Sequence, residues 1–390
     1  MNLFVETNYE SLNKHNEELC GDKVEIIRNE DSVIVVLADG LGSGVKANIL
    51  ATLTSKIIGT MLLNGAIIEE AVETIASTLP ECKERGIAYS TFSILQIFKS
   101  GEVYLVEFDN PSVFLLKKGH FTDLQKQERK IHGKLVKESR FIATPGDMFI
   151  MISDGVIHAG IGGTLNLGWQ WENVKEYIQR VYKPDVTAKN MSKLLLAVCD
   201  NLYMQKPGDD TTVVTVKVKE PVPVNIMVGP PVDRQQDSYV VHKFISEQGK
   251  KIVCGGTTSQ IISRELGREI VTNFNYFNPS IPPTAEIEGI DLTTEGVLTI
   301  GKTLDYLKKY CSSKSTIKDI LKLNQRDGAS QLAKILIEQA TKINFFVGRA
   351  MNPAHQNPEL PLDLSIKLKL VKEMAKCLEN MGKEVRVEYF

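Results

Sequence analysis

The chain has 390 residues, of which 46 are basic and 48 acidic, so its formal net charge is −2. Its 43% hydrophobic and 24% charged residues are typical of a globular protein, and they exclude a disordered, collagen-like or coiled-coil architecture. A near-neutral chain also lacks the basic surface expected for binding nucleic acid or an anionic membrane. At about 100–200 residues per domain, the length predicts two or three domains.

Two patterns of predicted elements meet at a proline-containing segment near residues 218–224, and we place the domain boundary between residues 219 and 220. In the first region, apolar patterns predict strands at 31–38, 89–98, 102–108, 112–117, 148–153 and 211–217. Helical spacing predicts helices at 45–63, 67–79, 173–182 and 188–204. Because the strands cluster instead of alternating with helices, we predict an α+β domain over 1–219, with helices packed on antiparallel sheets.

After the boundary, strands and helices alternate. Strands are predicted at 224–228, 251–254, 343–347 and 385–390. Helices are predicted at 238–248, 259–266, 297–310, 329–341 and 365–380. This alternation predicts a Rossmann-like α/β domain over 220–390, with a parallel sheet and crossover helices.

The cysteines and the hydropathy pattern bear on the cellular setting. The six cysteines are scattered without a C-x-x-C pair, and no basic and apolar leader opens the chain. The longest apolar stretch, around residues 57–68, is interrupted and too short to span a bilayer. We therefore predict a cytoplasmic protein with free thiols and no membrane attachment.

Four short acidic motifs in the first region each lie where a strand meets a turn. They are Gly21-Asp22, Ala38-Asp39-Gly40-Leu41-Gly42-Ser43-Gly44, Ser153-Asp154-Gly155 and Gly208-Asp209-Asp210-Thr211-Thr212. A turn or a helix cap explains any one of them. Aspartates held at a sheet rim by buried strands repel one another unless a cation neutralises them, and magnesium and manganese prefer such oxygen ligands.

In this order the four motifs resemble those of the PPM-type metal-dependent serine/threonine phosphatases, and most closely the bacterial SpoIIE/RsbU branch. The resemblance covers residues 1–219, and the Asp-Gly-x-Gly-x-Gly segment that begins at Asp39 is its strongest element. It implies a β-sandwich flanked by helices that holds two Mn²⁺ or Mg²⁺ ions at one end.

The same resemblance implies a role for each acidic residue. Asp39 would bridge both metal ions, the Gly40 carbonyl would bind one of them, and Asp22, Asp154 and Asp209 would complete the ligand set. The two cations would activate a water molecule that attacks phosphorus, without a protein nucleophile. Asp210, next to a ligand, would orient it from outside.

Other residues depart from the family pattern. His158 stands where relatives have an acidic residue, and a rim histidine explains it better than a proton shuttle. Lys46 is a candidate phosphate contact, although a solvated lysine on the helix surface is the default interpretation. Asp109 is a candidate for a third metal or for support of a ligand, and a strand-end turn is its simpler interpretation.

The resemblance also implies partners. Relatives act on phosphoserine or phosphothreonine in STAS-type regulators, so a phosphorylated protein substrate and a role in bacterial signalling are expected. Helices 45–63 and 67–79 would form a regulatory switch, or would simply pack on the sheet, and a homodimer through such helices is compatible with the branch.

The second region resembles no family that we identify. Gly255, Gly256, Thr257 and Thr258 follow a predicted strand and could bind a small anion at a helix start, although an ordinary capped turn would look the same. Arg349 and the segment 352–358 with His355 follow another predicted strand. We therefore expect a ligand-sensing or partner-docking domain. The alternatives are a catalytically weak scaffold that transmits the ligand state, and a nucleotide-using enzyme in the second domain.

Overall fold

The chain divides between Glu220 and Pro221 into two units. The structure, a computed structural model, describes residues 3–78, 90–131, 134–272, 281–312, 316, 319, 322–350 and 366–390. Each unit has its own buried apolar clusters. Among the described residues no helix has the length and apolar character needed to cross a membrane, and none of the five described cysteines forms a disulfide. Cys82 lies outside the described residues.

The described part of the first unit contains strands and helices in an α+β arrangement. The strands are β1 (Phe4–Leu12), β2 (Asp22–Arg28), β3 (Ser32–Gly40), β4 (Ser90–Phe98), β5 (Glu102–Phe108), β6 (Phe114–Lys117), β7 (His120–Phe121), β8 (Gln127–Ile131), β9 (Lys134–Ile142), β10 (Met148–Ile152) and β11 (Thr211–Lys219). The helices are α1 (Gly44–Leu63), α2 (Ile68–Thr78), α3 (Asp154–Ile157), α4 (Trp171–Val181) and α5 (Ala188–Leu202).

These strands form two antiparallel sheets, with the orders β1-β11-β10-β6-β7 and β2-β3-β4-β5-β9-β8. Strand β3 shows how the layers form, because successive side chains of a strand point to opposite faces. Val35 and Leu37 join the core between the two sheets, whereas Ile34 and Val36 pack with residues of α1 and α2. Helices α4 and α5 cover the outer face of the other sheet. The result is a β-sandwich between two helical layers, as predicted.

Some elements of the first unit were not predicted. Strands β1, β2, β8 and β9 contain many polar and charged residues that interrupt the apolar pattern, and these strands are only partly buried. The predicted strand and helix cores are confirmed where the apolar pattern is continuous, as in β3, β4 and β10. The predicted end of the second helix, Leu79, lies outside the described residues.

The described part of the second unit alternates strands with helices. The strands are β12 (Pro223–Val228), β13 (Lys250–Cys254), β14 (Val271–Thr272), β15 (Ala285–Glu286), β16 (Leu292–Thr294), β17 (Lys342–Val347) and β18 (Glu384–Tyr389). The α-helices are α6 (Asp237–Ser246), α7 (Gly256–Leu266), α8 (Val297–Cys311), α9 (Gly328–Lys334) and α10 (Ile366–Asn380).

Five of these strands are parallel and lie in the order β16-β13-β12-β17-β18, and β14 and β15 extend the sheet antiparallel beyond β16. Residues of α6 and α7 pack on one face, while those of α8, α9 and α10 pack on the other. The chain thus starts in the middle at β12, proceeds outward on one side, and returns to build the other side from β17. The direction of winding reverses between β12 and β17.

Two helix predictions in this unit need correction. Helix α7 begins at Gly256 rather than at Ser259, because Gly255 (φ 119°) turns the chain directly after β13. The helix predicted at 329–341 is α-helical only to Lys334 and continues as a π-helix over Ile335–Gln339. Strand β16 was missed because it has only three residues.

Candidate metal centre

The pairing of β2 with β3 places two of the predicted acidic residues side by side. In this antiparallel register Asp22 lies directly opposite Asp39. Asp22 is only 5% exposed, and Asp39 is partly buried at the end of its strand. The backbone amide of Gly40 donates to the Gly21 carbonyl at 3.2 Å, which continues the pairing past both aspartates. Two carboxylates therefore share one end of the sandwich.

The other two acidic motifs reach the same place from β10 and β11. The Ser153 amide donates to the Thr212 carbonyl at 3.0 Å, and the Thr212 amide donates to Ser153 Oγ at 2.8 Å. A Cβ atom on Gly155 would overlap the carbonyl of Asp210, and one on Gly21 would lie 2.7 Å from Asp210 Oδ2. Three of the motifs thus meet around Asp210, and the fourth, which contains Asp39, is paired with Gly21 and Asp22.

This convergence changes the ionisation of Asp22. Burial raises the pKa of its carboxyl to about 7. The nearby hydroxyls of Thr212 and Ser153 oppose the shift, and the negative charges of Asp210 and Asp154 add to it. Neither hydroxyl forms a hydrogen bond of good geometry with Asp22, since both of its carboxylate oxygens are without a partner among the described residues.

Asp39 and Asp209 respond in the same direction. Burial raises the pKa of Asp39 to about 9, and the charges of Asp22, Asp154 and Asp209 contribute further. Burial also raises the pKa of Asp209, followed by the effect of Asp154. A group of carboxylates that raise one another's pKa lacks sufficient neutralising charge of its own.

The donor set fits a hard divalent cation. Its members offer only oxygen, and both Asp22 oxygens and Asp210 Oδ2 are buried without a hydrogen-bond partner. Among the described residues, no three His, Cys, Asp or Glu side chains form a group at metal-ligand spacing. The structure therefore brings the carboxylates within electrostatic reach of one another without closing a ligand cluster.

The glycines after Asp39 are required for different steric reasons. A Cβ atom on Gly40 would overlap the backbone of Ala47 in α1, so this contact requires glycine. Gly42 and Gly44 have positive φ angles of 98° and 69°, which turn the chain from β3 into α1. The sharp turn that the sequence predicted at these two glycines is present.

The remaining predicted residues of the first unit lie at the rim. Lys46 is exposed in the first turn of α1. Asp109 is exposed at the end of β5 with φ 53°, which matches the strand-end turn. His158 Nδ1 lies 3.8 Å from Asp154 Oδ2, at the edge of the acidic group.

Lys14 was missed by the sequence analysis. Its ammonium lies 4.0 Å from Asp209 Oδ1, and its backbone amide donates to Asp210 Oδ1 at 3.0 Å. The sequence gives no sign of this role for Lys14, because the lysine follows a strand that was not predicted and its partners are nearly 200 residues away in the chain.

In the second unit, the predicted anion loop is the start of a helix. Gly256, Thr257 and Thr258 form the first turn of α7, and Thr258 Oγ1 accepts a hydrogen bond from the Gly229 amide at 2.9 Å. Arg349 follows β17 with its side chain exposed, and its amide donates to the Phe390 carbonyl at 2.8 Å. The segment 352–358 with His355 lies outside the described residues.

Comparison with known proteins bears on the first unit. Residues 29–219 match the family model described as stage II sporulation protein E (SpoIIE). A search of curated proteins gave no match. The match includes Asp39, Asp154 and Asp209, while Asp22 lies just before it.

Similar solved structures include the phosphatase domain of SpoIIE from Bacillus subtilis, at 20% identity over 57% of this chain and 95% of that one, with a TM-score of 0.45. The RsbU and RsbW domains of a Mycobacterium tuberculosis protein are 13% identical over 61% of this chain and 68% of that one, with a TM-score of 0.48. The solved structures are similar in fold, and the family-model match covers most of the first unit. Residues 29–219 therefore carry the SpoIIE family pattern that the four acidic motifs predicted.

Proposed function

We propose that the first unit is a Mn²⁺- or Mg²⁺-dependent protein serine/threonine phosphatase. The observation that carries this proposal is the opposition of Asp22 and Asp39 across β2 and β3, with both Asp22 oxygens buried and without a partner. Such a pair is unfavourable in an isolated fold and becomes favourable when a cation lies between the carboxylates.

Asp22, Asp39, Asp154 and Asp209 would hold two metal ions, with the Gly40 carbonyl as a further ligand. The ions would supply charge neutralisation at the phosphoryl group and activation of a water molecule. Asp210 accepts a hydrogen bond from the Lys14 amide at its Oδ1 and so holds the turn that carries Asp209. The Lys14 ammonium, 4.0 Å from Asp209, supplies a positive charge at the rim where a phosphate would enter.

The proposed substrate is phosphoserine or phosphothreonine in a protein, with a STAS-type regulator in bacterial signalling as the partner expected from the family. We further propose that the second unit is a Rossmann-like domain that binds a small anion and sets the activity of the first. The homodimer and the cytoplasmic location stay predictions.

The test is Mn²⁺-dependent release of phosphate from p-nitrophenyl phosphate and from a phosphoserine peptide. Asp39→Ala should lower kcat/KM by roughly 10³-fold or more, because the bridging carboxylate is lost. Asp31→Ala is the matched control, since this exposed aspartate lies at the other end of β3. Activity that survives Asp39→Ala would contradict the mechanism. A wild-type protein that folds and binds Mn²⁺ but releases no phosphate would favour the scaffold alternative.

A further inference from the structure

The strand order of the second unit identifies the point at which a parallel sheet is expected to form a crevice. Strands β12 and β17 are neighbours in parallel register, and the helices that follow them lie on opposite faces of the sheet. Where the winding of a parallel sheet reverses, the connections leaving the carboxyl ends of the two strands diverge and open a crevice. The carboxyl ends of β12 and β17 lead directly into Gly229 and Gly348.

A lysine ammonium lies at this point. Lys367, in the first turn of α10, donates through Nζ to the carbonyls of Gly348 and Ala350, the latter at 3.1 Å. A Cβ atom on Gly229 would lie 2.5 Å from the same Nζ, so the ammonium rests on the Gly229 backbone. Burial lowers the pKa of Lys367, and among the described residues no charged group contributes to this shift.

Helix α7 approaches Gly229 from the other side. The Gly229 amide donates to Thr258 Oγ1 at 2.9 Å, which fixes the first turn of α7 beside the end of β12. Gly256 in that turn is exposed, and a Cβ atom there would meet no atom within 4 Å. Gly229 therefore lies between a lysine ammonium and the first turn of α7, whose backbone amides have no acceptor within the helix.

We propose that the second unit binds a phosphoryl group at the carboxyl ends of β12 and β17, with Lys367 as its cationic contact and the first turn of α7 as its backbone contact. This inference rests on the proposed anion-binding role of the second unit and is independent of catalysis by the first. Within the described residues the Lys367 ammonium donates to two carbonyls, so the third of its protons can be donated to a phosphate oxygen, and the Thr258 hydroxyl keeps a proton to donate.

Two other lysines provide a comparison within the same unit. Lys383 donates to the carbonyls of Ile337 and Ala340, and Lys251 donates to those of Glu247 and Gly249. Both of these pairs of carbonyls precede strands, β17 and β13, so these lysines lie at the amino ends of the sheet. All three lysines thus donate to backbone carbonyls. Of the three, Lys367 is the one that lies at the carboxyl ends of the parallel strands.

The experiment uses the full chain carrying Asp39→Asn, in EDTA and at constant ionic strength, so that the acidic site of the first unit does not bind phosphate through a metal. Isothermal titration with pyrophosphate should show saturable binding. Lys367→Met should weaken it at least tenfold, and Lys367→Arg should largely restore it. Lys383→Met, the matched control, should leave the affinity within about twofold.

A second variant guards against misfolding of Lys367→Met. Gly256→Asp adds a carboxylate in open space and should weaken pyrophosphate binding at least fivefold, whereas Gln260→Glu one turn later should have little effect. Absence of saturable binding by the parent, or equal affinity in Lys367→Met and Lys383→Met, would overturn the proposal. Acetate binding as tight as pyrophosphate would overturn the phosphoryl class. None of these outcomes depends on phosphatase activity, which the p-nitrophenyl phosphate assay measures separately.

Discussion

Each unit places two like polar side chains side by side on neighbouring strands, and the two pairs differ in how they are satisfied. In the second unit, Asn344 Nδ2 donates to Asn225 Oδ1 at 2.8 Å, and Asn225 Nδ2 donates to the carbonyls of Gln248 and Lys250. In the first unit, Asp22 faces Asp39, and neither oxygen of Asp22 has a partner.

The contrast separates a pair that is satisfied within the fold from a pair that is not. An amide carries both a donor and an acceptor, so two amides can satisfy each other inside a sheet, whereas two carboxylates can only repel unless a proton or a cation joins them. The asparagine pair therefore stabilises its sheet without help. The aspartate pair destabilises its own sheet in the metal-free protein, which is what a binding site for a cation requires.

The largest expected effect comes from making the asparagine pair of the second unit resemble the aspartate pair of the first. Asn344→Asp replaces the donor that faces Asn225 Oδ1 with a buried negative charge, so the variant should lose about 2–4 kcal/mol of unfolding free energy. The loss should be larger at pH 8 than at pH 5, because the buried carboxyl is neutral at the lower pH. Chemical denaturation checks this, and the exposed Asn380→Asp is the control. Equal stability of the two variants would contradict the structural role of the pair.

A second variant tests what holds the aspartate pair in place. Gly40→Ala puts a Cβ atom into the backbone of Ala47 and should cost about 1–3 kcal/mol, with reduced Mn²⁺-dependent activity, because β3 must move relative to α1. Gly42→Ala has open space around its Cβ and only the strain of its positive φ, so it should cost about 1 kcal/mol. Thermal melts of both variants, with and without Mn²⁺, compare the two causes. A smaller loss in Gly40→Ala than in Gly42→Ala would argue against the close contact.

The reverse exchange, in which an amide replaces one carboxylate of the aspartate pair, should stabilise the metal-free protein. The pKa of Asp39 is raised from 3.8 to about 9, so the folded state keeps its proton where the unfolded state has lost it. Stability of the metal-free protein should therefore fall as pH rises through this window. Asp39→Asn removes that dependence and should gain about 1–2 kcal/mol at pH 8 in EDTA, and less at pH 5. Melts at both pH values check this against Asp31→Asn. A variant less stable than wild type at pH 8 without metal would show that the pair is not repulsive.

The smallest effect is expected at the rim. Lys14 and Asp209 are both more than one third exposed, so Lys14→Ala should change the unfolding free energy by less than about 1 kcal/mol. If its ammonium meets the incoming phosphate, KM should rise severalfold while kcat changes little. Steady-state kinetics with the phosphoserine peptide measure this, with the exposed Lys46→Ala as a comparison. An unchanged KM would remove Lys14 from the phosphate path.

The sequence predicted the parts of this molecule that depend on local pattern. The run Val33–Ala38 made β3 recognisable, and the turn chemistry after Asp39 indicated the acidic site. Strand β2 was hidden because Lys23, Glu25 and Arg28 alternate with its apolar residues, so the opposition of Asp22 and Asp39 could not be read from the sequence.

The contacts that depend on distant parts of the chain could not be predicted in the same way. Lys14 meets Asp209 only after β1 pairs with β11, and Lys367 meets Gly229 only after α10 packs at the end of β12. A lysine carries no local mark of such a role. The sequence thus indicated where the candidate acidic ligands lie, but it did not indicate which lysines lie beside the two candidate sites.

Helix α1 touches both halves of the aspartate pair through consecutive residues. The Ala47 backbone lies against Gly40, next to Asp39, and Asn48 Nδ2 donates to the Cys20 carbonyl at 2.7 Å, two residues before Asp22. Because α1 contacts the backbone beside both aspartates, a shift of this helix would be transmitted to both of them. A partner that binds the exposed face of this helix could therefore change the distance between the two carboxylates.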